Sequence, residues 1–194
     1  MGEGVGVKMK SKENVLLINI CKEKLHYYEF VKPVRDVLVK NNIEGFVKHY
    51  SCVIGRDLEN ASKVIICGTS LKDFEYLDNV GKFKWLCGFK KPVLGICGGM
   101  QLIGLVFGGK LRKKKEIGFY EEKFGKVFLG LEGKKEVYHL HDSYVDFSEV
   151  EGFGVLSGKG NVSQAVKHGD KEIYGVLFHP EVRQKDLIKK FCLL

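Results

Sequence analysis

Apolar residues along this chain fall into short blocks whose spacing switches between continuous and helical. Val15-Leu16-Leu17-Ile18-Asn19-Ile20 is a compact run of the kind a strand buried on both faces requires. Leu25 to Lys40 carries Tyr27, Phe30, Val31, Val34 and Leu38 at helical spacing, with Pro33 as either a kink or a helix start. Phe46-Val47-Lys48-His49-Tyr50 and Val64-Ile65-Ile66-Cys67 read as the second and third strands, the third ending at Gly68-Thr69-Ser70. Leu71 to Phe89 reads as a helix weakened in its middle by Gly81. Pro92 to Ile96 is a fourth strand, and an apolar segment with helical spacing follows it. This alternation with short links predicts an α/β fold: a mostly parallel central sheet flanked by helices.

Beyond Gly108-Gly109 the texture changes to short runs broken by glycine. Gly118-Phe119-Tyr120, Lys126 to Leu129, Glu136 to Leu140, Phe153 to Leu156 and Gln164 to Val166 predict a smaller, partly antiparallel strand region. Ile173 to Phe178 is a further apolar strand running into His179-Pro180-Glu181. Asp186 to Leu194 closes as a helix with Leu187, Ile188 and Phe191 facing inward. Residues 1–12 are rich in glycine and lysine and read as a mobile tail; with no internal repeat or low-complexity linker, 13–194 is expected to be a single domain.

Composition supports a full core, with 44% hydrophobic and 29% charged residues, and excludes global disorder. The net charge of +8 raises a nucleic-acid reading, but the one dense basic run, Arg112-Lys113-Lys114-Lys115, is short, so nucleic acid is not the expected partner. Cysteines stand at 21, 52, 67, 87, 97 and 192 with no C-x-x-C pair, so neither a zinc ribbon nor a thioredoxin motif is indicated, and no metal or cofactor is expected. The N-terminus lacks the apolar core of a secretory signal, and no apolar run is long enough to span a bilayer. Free thiols in a reducing cytoplasm are the simplest setting.

The stretch Lys91-Pro92-Val93-Leu94-Gly95-Ile96-Cys97-Gly98-Gly99-Met100-Gln101 carries the chemistry. Small residues two before and two after a central nucleophile let a strand turn into a helix within about one turn, in the manner of a nucleophile elbow. Cys97 would then be pushed out into solvent at a helix N-terminus, where free N–H groups and the helix dipole favour a thiolate. A small core cysteine would share the local pattern. What separates the two readings is a second segment. His179 and Glu181 follow another strand, and residues two apart in extended chain face the same side. The carboxylate can therefore orient the imidazole that serves the thiol.

Gly95-Ile96-Cys97-Gly98-Gly99-Met100-Gln101 together with Tyr174-Gly175-Val176-Leu177-Phe178-His179-Pro180-Glu181-Val182 resembles the two hallmark segments of the class I, triad-type glutamine amidotransferases. The resemblance covers roughly residues 14 to 194 by order of elements, and it implies a flavodoxin-like three-layer fold. It implies that Cys97 attacks the glutamine side-chain amide, that His179 passes a proton to the leaving ammonia and that Glu181 orients His179. The oxyanion would be held by backbone N–H groups of Gly98 and of the Gly68-Thr69 turn, where Thr69 and Ser70 depart from the glycine and proline usual in relatives. Gln101 matches a glutamine that contacts the substrate. His141-Asp142-Ser143-Tyr144-Val145 resembles the loop that holds the α-amino and α-carboxylate groups, with Asp142, Ser143 and Tyr144 as the binding residues.

No synthetase domain or P-loop is present, so the resemblance implies a separate partner that takes up the ammonia. Val182 is more similar to the glutaminase subunits of GMP synthases than to those of anthranilate synthases, although Asn19 to Glu23 departs from the usual opening. A γ-glutamyl hydrolase on the same scaffold is the second reading, and a non-catalytic basic nucleic-acid-binding module the third. His26, His49, His139 and His168 receive no role, and the remaining cysteines are assigned to core packing.

Overall fold

The computed structural model describes residues 14–194, so the tail expected over residues 1–12 lies outside the described residues. Among these the strands are β1 (Asn14–Asn19), β2 (Glu44–His49), β3 (Lys63–Ile66), β4 (Val93–Ile96), β5 (Leu111–Phe128), β6 (Leu131–Val145), β7 (Phe153–Lys159), β8 (Val162–His168) and β9 (Ile173–Val176). The α-helices are α1 (Lys32–Lys40), α2 (Gly55–Asn60), α3 (Gly98–Val106) and α4 (Lys185–Cys192). Seven strands make one sheet in the order β2-β1-β3-β4-β9-β8-β7, and β5 and β6 make a separate two-stranded ribbon. Pairing is parallel from β2 through β9, and antiparallel for β9-β8 and β8-β7.

The apolar runs explain the layers. Val15 to Ile18 are all buried, as a central parallel strand with both faces covered demands. Val15 and Leu17 share one core with α1, α4 and the ribbon residues Phe124, Phe128 and Val137. Leu16 and Ile18 share the other with Met100, Leu102 and Ile103 of α3 and with Phe83 and Leu86. The chain moves from β1 out to β2 and then back across to β3, so the sheet reverses direction of growth at the β1/β3 boundary, and the carboxyl ends near such a point form a natural crevice.

Three expectations are corrected. Leu71 to Phe89 is not an α-helix; Leu77–Cys87 forms 3₁₀ turns, broken at Asn79 with φ −115° and ψ 19°. Leu77, Val80, Phe83 and Leu86 recur every third residue and all pack on the core, a period that fits three residues per turn and not 3.6. The segment leading into α1 is a π turn over Tyr27–Val31, and Pro33 sits in the first turn of α1 where its missing N–H costs nothing. The glycine-broken runs from Gly118 to Leu140 are two long strands and not several short ones. Their hairpin turns at Leu129 (φ 46°) and Gly130 (φ 86°), both left-handed as a two-residue turn matched to strand twist requires. The short helix α2 has no counterpart in the sequence reading.

Candidate active site

Strand β4 runs into α3 through Cys97, whose φ of 49° and ψ of −106° are a conformation that side chains rarely adopt. The strain is held by Cys97 N–H donating to Val176 O at 2.8 Å and by Gln101 N–H donating to Cys97 O at 3.0 Å. Close approach dictates the flanking glycines. A Cβ on Gly99 would stand 2.2 Å from Ile66 O, and one on Gly95 2.6 Å from the Gly99 backbone. The elbow is therefore formed, but its sulfur does not stand in solvent: Cys97 is 4% exposed, and its Sγ lies 3.6 Å from Leu140 O. The ribbon and the 3₁₀ segment wall in what the local pattern alone would leave open.

At the end of β9, His179 Nδ1 lies 2.7 Å from Glu181 Oε1, and both residues are buried. The ring is fixed at its backbone by His179 N–H donating to Tyr138 O at 2.8 Å, and it packs on the Phe30 ring. Burial by itself disfavours the imidazolium, but the charges of Glu181 and then Cys97 outweigh it and raise the His179 pKa well above the ordinary histidine value. Nε2 makes no conventional hydrogen bond. Gly68 lies against this pair: a Cβ there would be 2.8 Å from His179 Cε1 and 3.4 Å from Cys97 Cβ.

A narrow cleft opens onto the thiol, with Thr69, Tyr76, Cys97, Gly98, Gln101 and Asp142 among its lining. Gln101 reaches it but has both amide ends engaged: Tyr76 Oη donates to Oε1 at 2.7 Å, and Nε2 donates to Ser143 O at 2.8 Å. Thr69 Oγ1 donates to Asp73 Oδ2 at 2.6 Å, and His26 Nδ1 lies 2.7 Å from the same oxygen. His141 to Val145 is not a loop but the last part of β6, paired with β5. Asp142 lines the cleft, whereas the Tyr144 side chain packs in the apolar core. Ser143 is buried, with its Oγ donating to Asp142 Oδ1 at 2.6 Å and accepting from Lys113 Nζ at 3.0 Å.

The sequence reading missed Tyr76 and Asp73, which line the cleft at the thiol from just before the 3₁₀ segment. It also left His26 and His139 without partners. The basic run is largely neutralised within the chain: Arg112 pairs with Glu149 at 2.6 Å, Lys113 with Asp142 at 3.3 Å and Lys114 with Glu116 at 2.8 Å. No helix among the described residues is long and apolar enough to cross a membrane.

Comparison with known proteins bears on this arrangement. The family model described as glutamine amidotransferase class-I matches residues 26–191. A glutamine-hydrolysing GMP synthase from Spiroplasma kunkelii is 36% identical over 104 residues, covering 51% of this chain and 20% of that protein. One from Lactobacillus acidophilus is 37% identical over 112 residues, covering 52% of this chain and 22% of that protein. The matched segment thus spans about a fifth of the length of these relatives. Among solved structures, a Thermoplasma acidophilum protein provisionally described as a GMP synthase subunit superposes with a TM-score of 0.81 at 19% identity, over 95% of this chain and 94% of the other. A glutamine amidotransferase from Thermotoga maritima superposes with a TM-score of 0.70 at 21% identity, over 94% of this chain and 81% of the other. Both share the fold.

Proposed function

The chain belongs to the class-I glutamine amidotransferases, and from that premise we propose that it cleaves the side-chain amide of glutamine and hands the ammonia to a separate synthetase, one that makes GMP. The observation carrying this reading is the meeting of an elbow cysteine with a buried His179–Glu181 pair at the carboxyl ends of adjacent strands β4 and β9.

Cys97 Sγ, as thiolate, adds to the amide carbon, and the carbonyl electrons move onto oxygen. Gly98 N–H, directly after the nucleophile, and an N–H of the Gly68-Thr69 turn receive that oxyanion. The Thr69 hydroxyl is committed to Asp73, so the donor asked of this turn is a backbone one. His179, its pKa raised beside Glu181, gives its Nε2 proton to the leaving nitrogen, and ammonia departs as the thioester forms. Water then attacks the thioester, returns a proton to His179 and releases glutamate. Glu181 keeps the ring oriented and stabilises its charge in both steps. Asp142, beside the thiol, receives the substrate's α-amino group, and Gln101 holds the Ser143 carbonyl that shapes the same end of the cleft.

Glutamine hydrolysis by the purified protein, alone and with a GMP-forming synthetase subunit, tests this. Expected are activity sensitive to thiol alkylation, stimulation by the partner, and a loss of about 10³-fold or more in Cys97→Ala. Synthesis from added ammonia by the partner should persist in the Cys97→Ala complex. Unchanged glutamine turnover in Cys97→Ala would sink the assignment, and faster cleavage of γ-glutamyl peptides than of glutamine would favour a γ-glutamyl hydrolase instead.

A further inference from the structure

The β5–β6 ribbon carries a second group of chemically competent side chains that the amide chemistry does not use. His139 and His141 stand two apart on β6 and so share a face. On β5, Glu116 pairs with His141, just after a bulge between Lys113 and Glu116 shifts the register by one residue. That extra residue brings the carboxylate onto the histidine face. From Glu116 Oε2, His139 Nδ1 is 3.3 Å away and His141 Nε2 3.1 Å, and the donor atoms of all three residues lie within 4.8 Å of one another. Both histidine side chains are fully buried. His139 Nε2 and both ring nitrogens of His141 are buried without a hydrogen bond, although the Lys114 backbone also approaches the His141 ring.

We infer that Glu116, His139 and His141 form a binding site for a single divalent transition-metal ion of the zinc type. Zinc bonds to nitrogen and oxygen run about 2.0–2.1 Å, which puts tetrahedral donors about 3.3 Å apart. The two separations from Glu116 Oε2 already match that edge. Of the two ring nitrogens nearest Glu116 Oε2, His141 Nε2 is buried without a conventional hydrogen bond, which is costly on its own account and which a bound cation would satisfy. The surroundings resemble an outer shell. Glu122 Oε1 sits 3.5 Å from His139 Nε2, and Gln164 Nε2 donates to Glu116 Oε2 at 2.9 Å. Lys114 Nζ takes the other oxygen of Glu116 at 2.8 Å, so the carboxylate would bind through one oxygen. A water would complete four-coordination. Because His141 and Leu140 also line the cleft, a bound ion would pin one wall of it.

The test does not depend on glutaminase activity. Full-length protein is stripped with chelator and titrated with Zn²⁺ by calorimetry and with Co²⁺ by visible absorption. One ion per chain is expected, with the visible bands of low-coordinate Co²⁺ and no intense near-ultraviolet thiolate-to-cobalt band. His139→Gln and Glu116→Gln should each abolish the visible bands, Glu122→Gln should weaken binding by about 10–100-fold, and Cys97→Ala should bind like wild type. No binding of either ion by the wild-type protein, a thiolate band, or loss of binding only in Cys97→Ala would overturn the site. The wild-type spectra alone decide the matter if a ribbon variant fails to fold.

Discussion

Two groups that pair buried histidine with glutamate shift their imidazoles in opposite directions. His179 meets Glu181 at 2.7 Å, and its pKa is raised; His139 and His141 meet Glu116 at 3.3 and 3.1 Å, and theirs are lowered. Burial opposes the imidazolium in all three. The difference lies in how many partners each carboxylate serves. Glu181 Oε1 is devoted to one ring, and Cys97 acts in the same direction on that ring's pKa. Glu116 is divided among two rings, the Lys114 ammonium and the Gln164 amide. Burial raises the Glu116 pKa, but the hydrogen bond from Lys114 leads the contributions that bring it below the ordinary value. An undivided carboxylate leaves a ring of raised pKa, which the proposed amide cleavage can use as a proton donor, whereas a divided one leaves rings of lowered pKa.

The same substitution in the two groups should therefore read out differently. Glu181→Gln keeps shape but removes the anion that raises the His179 pKa, and glutamine turnover should fall by about 10²–10⁴-fold with the fold intact. A residual rate close to wild type would mean that Cys97 alone keeps the ring charged. Next in size is Gly68→Ala. Its Cβ would meet His179 Cε1 at 2.8 Å and push the ring off its line to Cys97, and misplacement of about 1 Å costs on the order of 10²-fold. Steady-state kinetics should show the loss in kcat, with KM moving little.

Glu116→Gln, by contrast, should act on stability. It replaces the charged shared acceptor of two buried rings, Gln164 and Lys114 with a neutral amide that keeps one acceptor oxygen, which should cost about 1–3 kcal/mol in urea unfolding, while activity per folded molecule falls far less than in Glu181→Gln. A catalytic loss as large as that of Glu181→Gln would erase the distinction between the two groups.

How far each group can be read from the chain follows from what holds it together. The elbow and the His-Pro-Glu segment are local patterns at strand ends, so Cys97, His179 and Glu181 are legible, as are the central strands from their unbroken apolar runs. The burial of the Cys97 sulfur is not, because Leu140 and Tyr76 reach it from elements remote in sequence. The Glu116 cluster is hidden for a sharper reason: it exists only in one register of the ribbon, and that register depends on a bulge between Lys113 and Glu116. Reading short strands broken at Gly118 and Gly125 removes the pairing that would reveal it. In Leu77 to Leu86 the signal is present as a period of three, but over so short a span it is easily confused with the 3.6 of an α-helix.

His168 offers the smallest and cleanest check, because it is a buried histidine with no carboxylate hydrogen-bonded to its ring. Its Nδ1 accepts N–H groups from Asp170 at 3.1 Å and Lys171 at 3.3 Å, and the ring packs against Phe107 and Phe153. Burial lowers its pKa below the ordinary histidine value; Asp170 opposes this and Lys171 adds to it, so the folded ring takes up its proton at lower pH than the unfolded one. A histidine depressed in the folded state contributes stability that is present above the unfolded pKa, about 6.5, and is lost as pH falls through the folded value. In His168→Asn, Oδ1 can take over the acceptor role without titrating. The fall in melting temperature between pH 7.5 and pH 5 should then shrink by up to about 2–4 °C, equivalent to roughly 1 kcal/mol or less for a chain of this size. An unchanged acid limb would show that burial does not depress this ring, and the opposition of burial to the imidazolium invoked for His139, His141 and His179 would lose its support.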